Sequence, residues 1–131
     1  MFFLLKKAER THSVCKEMKT VFIKENSDFK RLYYRGKSQV KKRLVLYYRK
    51  NRFSYNRLGI TVSPKVGNAV KRNRIRRLLK ENYRLLKGIS IGYDIVIVAR
   101  KSAAFANYDE IGKDLKGALY DSGLLKRDEL D

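Results

Sequence analysis

Residues 95–99 read Ile-Val-Ile-Val-Ala, five apolar residues in a row within GYDIVIVAR (92–100). A strand with one wet face alternates apolar and polar residues, whereas an unbroken apolar run needs cover on both faces. This segment therefore asks for packing layers above and below it. The rest of the chain has to supply them.

Three helical segments can do so. Asn26, Ser27 and Asp28 are N-cap candidates, Phe29, Leu32 and Tyr33 recur at helical spacing, and Gly36 reads as a C′ glycine. A second helix runs through AVKRNRIRRLLKENYRLL, with Pro64 and Gly67 ahead of it and Gly88 as a stop. In a third, Asn107 is the cap and Glu110 stands where a capping box needs it. Its apolar stripe is Ile111, Leu115, Ala118 and Leu119, and it runs to about Ser122. Between the first two helices, RLVLYYRK (43–50) and RLGITVS (57–63) read as strands, with Asn51–Asn56 as a hairpin connection. Lys37–Lys42 is a candidate for one further short strand. The order argues for a single α+β domain, a sandwich of helices on one small sheet. No repeat or Pro/Ser-rich linker interrupts it, and Pro64 is the only proline.

Charge narrows the function. The chain carries 32 Lys and Arg against 13 Asp and Glu, a formal net charge of +19. From Lys30 to Lys80 there are 18 Lys and Arg and no acid at all. Self-repulsion of that size is tolerated where a polyanion is the partner. On a helical wheel, Leu78, Leu79, Ile75, Tyr83, Leu85 and Leu86 fall on one arc. Arg76, Arg77, Lys80, Arg84, Lys87 and Asn73 fall on the other. A solvated helix normally pairs its cations with acids at i,i+4, and Glu81 is the only acid here, with Arg77 or Lys80 as neighbours. Four arginines within Arg72–Arg77 favour phosphate, which guanidinium forks match.

The element before this helix is a strand, which argues against a helix-turn-helix DNA reader. An amphipathic membrane helix would share the two faces, but the sheet needs the same apolar arc. Aromatics interleaved with cations (Phe29, Tyr33, Tyr34, Tyr47, Tyr48, Phe53, Tyr55) have the composition of a surface that stacks single-stranded bases. Val45 and Tyr47 share one face of their strand, opposite Leu44, Leu46 and Tyr48.

The inventory for chemistry is poor. One cysteine, Cys15, and one histidine, His12, exclude zinc-finger ligation, and neither HExxH nor a Walker-type loop occurs. Two-metal phosphodiester cleavage wants convergent carboxylates, and the acid-free block supplies none. The residues alone describe a nucleic-acid binder without its own active site. Lacking a secretory signal or an apolar run of membrane length, the chain is expected to be cytoplasmic.

GNAVKRNRIRRLLKE resembles the RNR signature of the bacterial ribonuclease P protein component family. KENSDFKRLYYRGK, LVLYYRK, NRLGITVSPKVGNAVKRNRIRRLLKENYR and IVIVARKSA extend the likeness from about Met18 to Leu125. The resemblance leaves residues 1–17 as an N-terminal extension and a candidate for disorder, 18–125 as the RNA-binding domain, and 126–131 as an acidic end. It implies an α-β-β-β-α-β-α, ribosomal-protein-like fold with a left-handed βαβ crossover. It implies a subunit of an endoribonuclease in which a catalytic RNA, using magnesium bound mainly by that RNA, removes the 5′ leader from precursor tRNA. The protein would carry no catalytic residue or metal of its own. Lys71, Arg72, Asn73, Arg74, Arg76, Arg77 and Lys80 would face the RNA subunit. Phe29, Tyr33 and Tyr47 would line a cleft for the leader, with Lys65, Arg100 and Lys101 beside it. Pro64 stands where the family often has lysine, which removes one charge near the start of the helix. The expected partners are that RNA and precursor tRNA, with neither membrane nor DNA. A non-enzymatic ribosomal or ribosome-associated RNA binder is the alternative that charge and fold class equally allow.

Overall fold

A computed structural model describes residues 20–23 and 26–125. The extension at 1–17, with His12 and Cys15, and the acidic end at 126–131 lie outside the described residues. The elements are β1 (Thr20–Phe22), α1 (Asn26–Arg35), β2 (Lys37–Val40), β3 (Leu44–Lys50), β4 (Asn56–Val62), α2 (Ala69–Leu85), β5 (Tyr93–Ala99), a 3₁₀ turn (Lys101–Phe105) and α3 (Tyr108–Ser122). The expected α-β-β-β-α-β-α order is present, preceded by the short strand β1. The segment Lys37–Lys42 does contain a strand, β2.

The five strands form one mixed sheet in the order β1-β4-β5-β3-β2. β5 lies at the centre, parallel to β4 and antiparallel to β3. Its register explains the apolar run. Ile95 and Ile97 are fully buried against the α2 and α3 side, together with Leu44, Leu46, Leu58, Ile75, Leu79, Ile111, Leu115 and Leu119. Val96 and Val98 point the other way, into a smaller cluster with Ile23, Phe29, Leu32 and Tyr47 under α1. The strand is thus covered on both faces, by two helices on one and one on the other.

The hairpin expected across Asn51–Asn56 is not formed. β3 and β4 both pair with β5 and not with each other. The connection instead spans the width of β5, held by Asn51, whose side chain accepts from Phe53 N–H at 2.8 Å and donates to the Tyr55 carbonyl at 3.3 Å. Gly36 also differs from expectation. It is not left-handed; glycine is needed there because a Cβ would lie 2.6 Å from the Leu32 carbonyl oxygen and 3.0 Å from that of Tyr48.

α2 starts at Asn68, whose side chain accepts from Lys71 N–H at 3.0 Å. α3 starts with the capping box read from the sequence: Glu110 N–H donates to Asn107 Oδ1 at 2.9 Å, and Asn107 N–H to Glu110 Oε1 at 3.0 Å. The two helices are joined by Asn82, buried, whose Nδ2 donates to the carbonyls of Leu78 (2.9 Å) and Tyr108 (3.2 Å).

Candidate nucleic-acid interface

The residues expected to line a cleft lie on the α1 side of the sheet. α1 covers only part of that face, leaving Val45, Tyr47, Thr61 and Val98 half-buried and Val40 exposed. These side chains lie side by side, since Val45 and Thr61 both pair with Val98, and Tyr47 with Val96. Tyr33 of α1 stands over this floor. Its ring meets Tyr47 edge-on, with centroids 5.0 Å apart at 75°, and its hydroxyl is 3.4 Å from Thr61 Oγ1. Tyr33 remains 39% exposed.

Phe29 packs deeper, over Gly59. A Cβ at residue 59 would come within 2.7 Å of the Phe29 ring, so glycine there lets the ring approach β4 this closely. The three aromatic residues assigned to a cleft by resemblance are therefore together. Beyond Val98 the chain continues to Arg100 and Lys101, both exposed. Arg100 donates to the Lys41 carbonyl at 2.8 Å, anchored while its charge has no carboxylate partner among the described residues. Lys65 is exposed beyond the end of β4, in a turn where its N–H donates to Ser63 Oγ at 3.1 Å. One end of the cleft is thus rimmed by cations.

The other end is closed and neutralised. Arg57 grips Asp94 with two hydrogen bonds, Nε to Oδ1 at 2.8 Å and Nη2 to Oδ2 at 2.6 Å, and also reaches Asp28 of α1 at 3.2 Å. Asn51 donates to Asp94 Oδ1 at 2.9 Å. Burial pushes the Asp94 carboxyl upward, but the Arg57 and Asn51 hydrogen bonds outweigh it and hold the group below its ordinary value. Arg57 is raised, chiefly by its hydrogen bond to Asp94.

The same separation of charge recurs on the opposite side. Arg43 is paired with Glu110 (3.1 Å) and Asp114 (3.3 Å), and Lys41 with Asp121. Glu81 bonds Arg84 at 2.8 Å, three residues on, and not the neighbours expected from the sequence. Consequently none of the six cations from Lys71 to Lys80 has a carboxylate partner among the described residues. The first turn of α2 also lacks an acid, so the positive end of the helix dipole adds to the field.

These cations do not form one row. Arg77, Lys80 and Asn73 are exposed, and Arg76 is half-buried, with its guanidinium donating to Asn73 Oδ1 at 2.9 Å. Lys80 lies over the Phe22 ring at 5.2 Å and Lys71 over the Phe105 ring at 4.9 Å. Arg74 turns inward and donates to the Ala106 carbonyl at 3.0 Å, tying α2 to the start of α3. Arg72 is half-buried, and its Nε is buried without a hydrogen-bond partner among the described residues. Leu85, placed by the wheel on the apolar arc, is instead 56% exposed. Sequence reasoning passed over Gly59, Thr61, Arg57 and Asp94. A glycine between Leu58 and Ile60 inside a strand is the signal that marks a close approach.

Among the described residues no helix is long and apolar enough to cross a membrane, and no group of three or more His, Cys, Asp or Glu side chains is placed to hold a metal ion.

The family model for Ribonuclease P matches residues 18–122. The chain is 49% identical over 100 residues to the ribonuclease P protein component of Clostridioides difficile, covering 75% of this chain and 88% of that one. It is 46% identical over 109 residues to that of a Clostridium botulinum strain, covering 82% and 98%. Among solved structures, the Staphylococcus aureus RNase P protein aligns with a TM-score of 0.75 at 35% identity, over 82% of this chain and all of that one. The Thermotoga maritima RNase P protein aligns with a TM-score of 0.67 at 33% identity, over 72% and 91%. With its sequence match spanning nearly every element described above and its fold shared with solved members, the chain belongs to the ribonuclease P protein family.

Proposed function

We propose that this chain is the protein subunit of ribonuclease P and assists a catalytic RNA in removing the 5′ leader from precursor tRNA. The observation that carries this reading is the placement of charge. Carboxylates pair with Arg31, Arg57, Arg43, Lys41 and Arg84, while the cations of α2 from Lys71 to Lys80 and those of the cleft rim are left without carboxylates among the described residues. The exposed cations of α2 suit the phosphates of a structured RNA. The half-covered floor under Tyr33 suits an extended single strand, whose bases can stack on Tyr33 and Tyr47 while Lys65, Arg100 and Lys101 meet its phosphates. Protein and RNA would meet in the cytoplasm.

Magnesium enters this reading as a cofactor of the RNA. Among the described residues no group of three or more His, Cys, Asp or Glu side chains is placed to hold it, and the carboxylates that do converge are paired with Arg57 and Arg43. The protein's part is to position the leader and to lower repulsion between two polyanions.

Reconstitution with the folded RNA subunit from the same organism tests this. The protein is expected to lower the magnesium concentration needed for precursor tRNA cleavage and to favour substrates with a leader. Absence of any stimulation, with sedimentation on ribosomes instead, overturns the proposal in favour of a ribosomal RNA binder.

A further inference from the structure

Phe105 ends the 3₁₀ turn after β5, and 83% of it is exposed. The ring adds nothing to the core, which this turn supplies through Ala103, Ala104 and the following Ala106. It is nevertheless held in a built setting. Lys71 Nζ lies 4.9 Å from the ring centroid. The lysine chain reaches it across Gly67, where a Cβ would come within 2.9 Å of Lys71 Cδ. The Arg74 guanidinium fixes the next residue by its bond to the Ala106 carbonyl, and Ala106 N–H closes the turn on Ala103 at 3.2 Å. Val70, 77% exposed, adjoins Lys71 in the first turn of α2.

We propose that Phe105, with Lys71 beside its ring, is a stacking platform for an unpaired base of the RNA subunit, separate from the Tyr33–Tyr47 cleft. The inference rests on the function proposed above. Three observations favour a nucleotide as the occupant. The surround is cationic, and the sequence has no acid from Ile95 to Tyr108 or from Lys30 to Lys80. The turn is fixed at both ends, so little is lost in ordering it. A ring with an ammonium alongside offers in one place a π surface for the base and a charge for its phosphate. An anionic membrane would want a longer apolar stripe than one ring and one valine.

The test compares full-length Phe105→Ala, Phe105→Leu and Phe105→Trp for binding to the folded RNA subunit over a range of salt. Phe105→Ala is expected to weaken binding by roughly 10-fold, within the range for losing one stacked base. Its salt slope should be unchanged, because no phosphate contact is removed. Trp should restore affinity, Leu should not, and thermal melting should be unaltered in all three. Wild-type affinity in Phe105→Ala, or full rescue by Leu, overturns the platform and leaves the subunit assignment standing. A loss of binding to anionic phosphatidylglycerol vesicles with RNA binding intact overturns it in favour of a membrane contact. Failure of the unmodified protein to bind the RNA overturns the subunit assignment itself.

Discussion

Asp94 shows how one residue can serve both stability and site. It holds the guanidinium of Arg57 on β4, which also donates to Asp28 in the first turn of α1, and so helps fix the helix that carries Phe29 and Tyr33 over the sheet. Its folded-state pKa lies below the unfolded value, so the unfolded chain binds more protons in that window. The contribution is complete at neutral pH and lost as pH falls through about 4 toward the depressed folded value. Asp94→Asn should cost about 1–3 kcal/mol at pH 7, and progressively less in acid. Denaturant titrations at pH 7 and pH 3 check this; an equal loss at both would contradict it.

Two arginines of α2 should part company. Arg77 is exposed with no carboxylate among the described residues, so Arg77→Ala should flatten the salt dependence of RNA binding by roughly one phosphate contact and leave melting unchanged. Arg74→Ala removes the bond to the Ala106 carbonyl and should lower stability by about 1 kcal/mol. On the proposed function, Tyr33→Ala should weaken binding of leader-bearing precursor tRNA by ~1–3 kcal/mol and of leaderless tRNA far less. Equal losses would remove Tyr33 from the leader path.

Between elements, α2 and α3 meet at a contact with no slack. A Cβ on Gly112 would lie 2.5 Å from Asn82 Oδ1, and Asn82 cannot withdraw without losing the Tyr108 carbonyl. Gly112→Ala should therefore destabilise by about 1–3 kcal/mol through overpacking, measurable by chemical denaturation.

Elements set by local pattern were legible in the sequence. The double cover of β5 follows from its apolar run, the α3 capping box from Asn107 and Glu110, and the amphipathic character of α2 from its period. Features set by distant contacts were not. β3 and β4 look like a hairpin because nothing local says that residues forty positions later will come between them. β1 has only three residues, too few to show alternation. The wheel placed Leu85 inside and did not sort Arg72 or Arg74, because the sheet and α3 cover α2 unevenly. The cleft residues came from resemblance; the pattern could say that Tyr47 and Val45 share a face, but not which helix leaves that face half open.

For the whole molecule, charge opposes stability. A net +19 repels itself, and salt screens that repulsion as it screens attraction to RNA. Raising salt should therefore raise the melting temperature of the free protein while weakening its hold on RNA. A melting temperature that falls with added salt would show that the internal ion pairs, not the unpaired cations, govern its electrostatics.

The central place of β5 bears on how the chain is made. The pairs β1–β4 and β2–β3 leave the ribosome well before residues 93–99, yet only β5 joins one pair to the other. A nascent chain ending at α2 would present two open strand edges and the whole basic block, with nothing to zip them together. Truncations just short of residue 99 should therefore aggregate rather than fold.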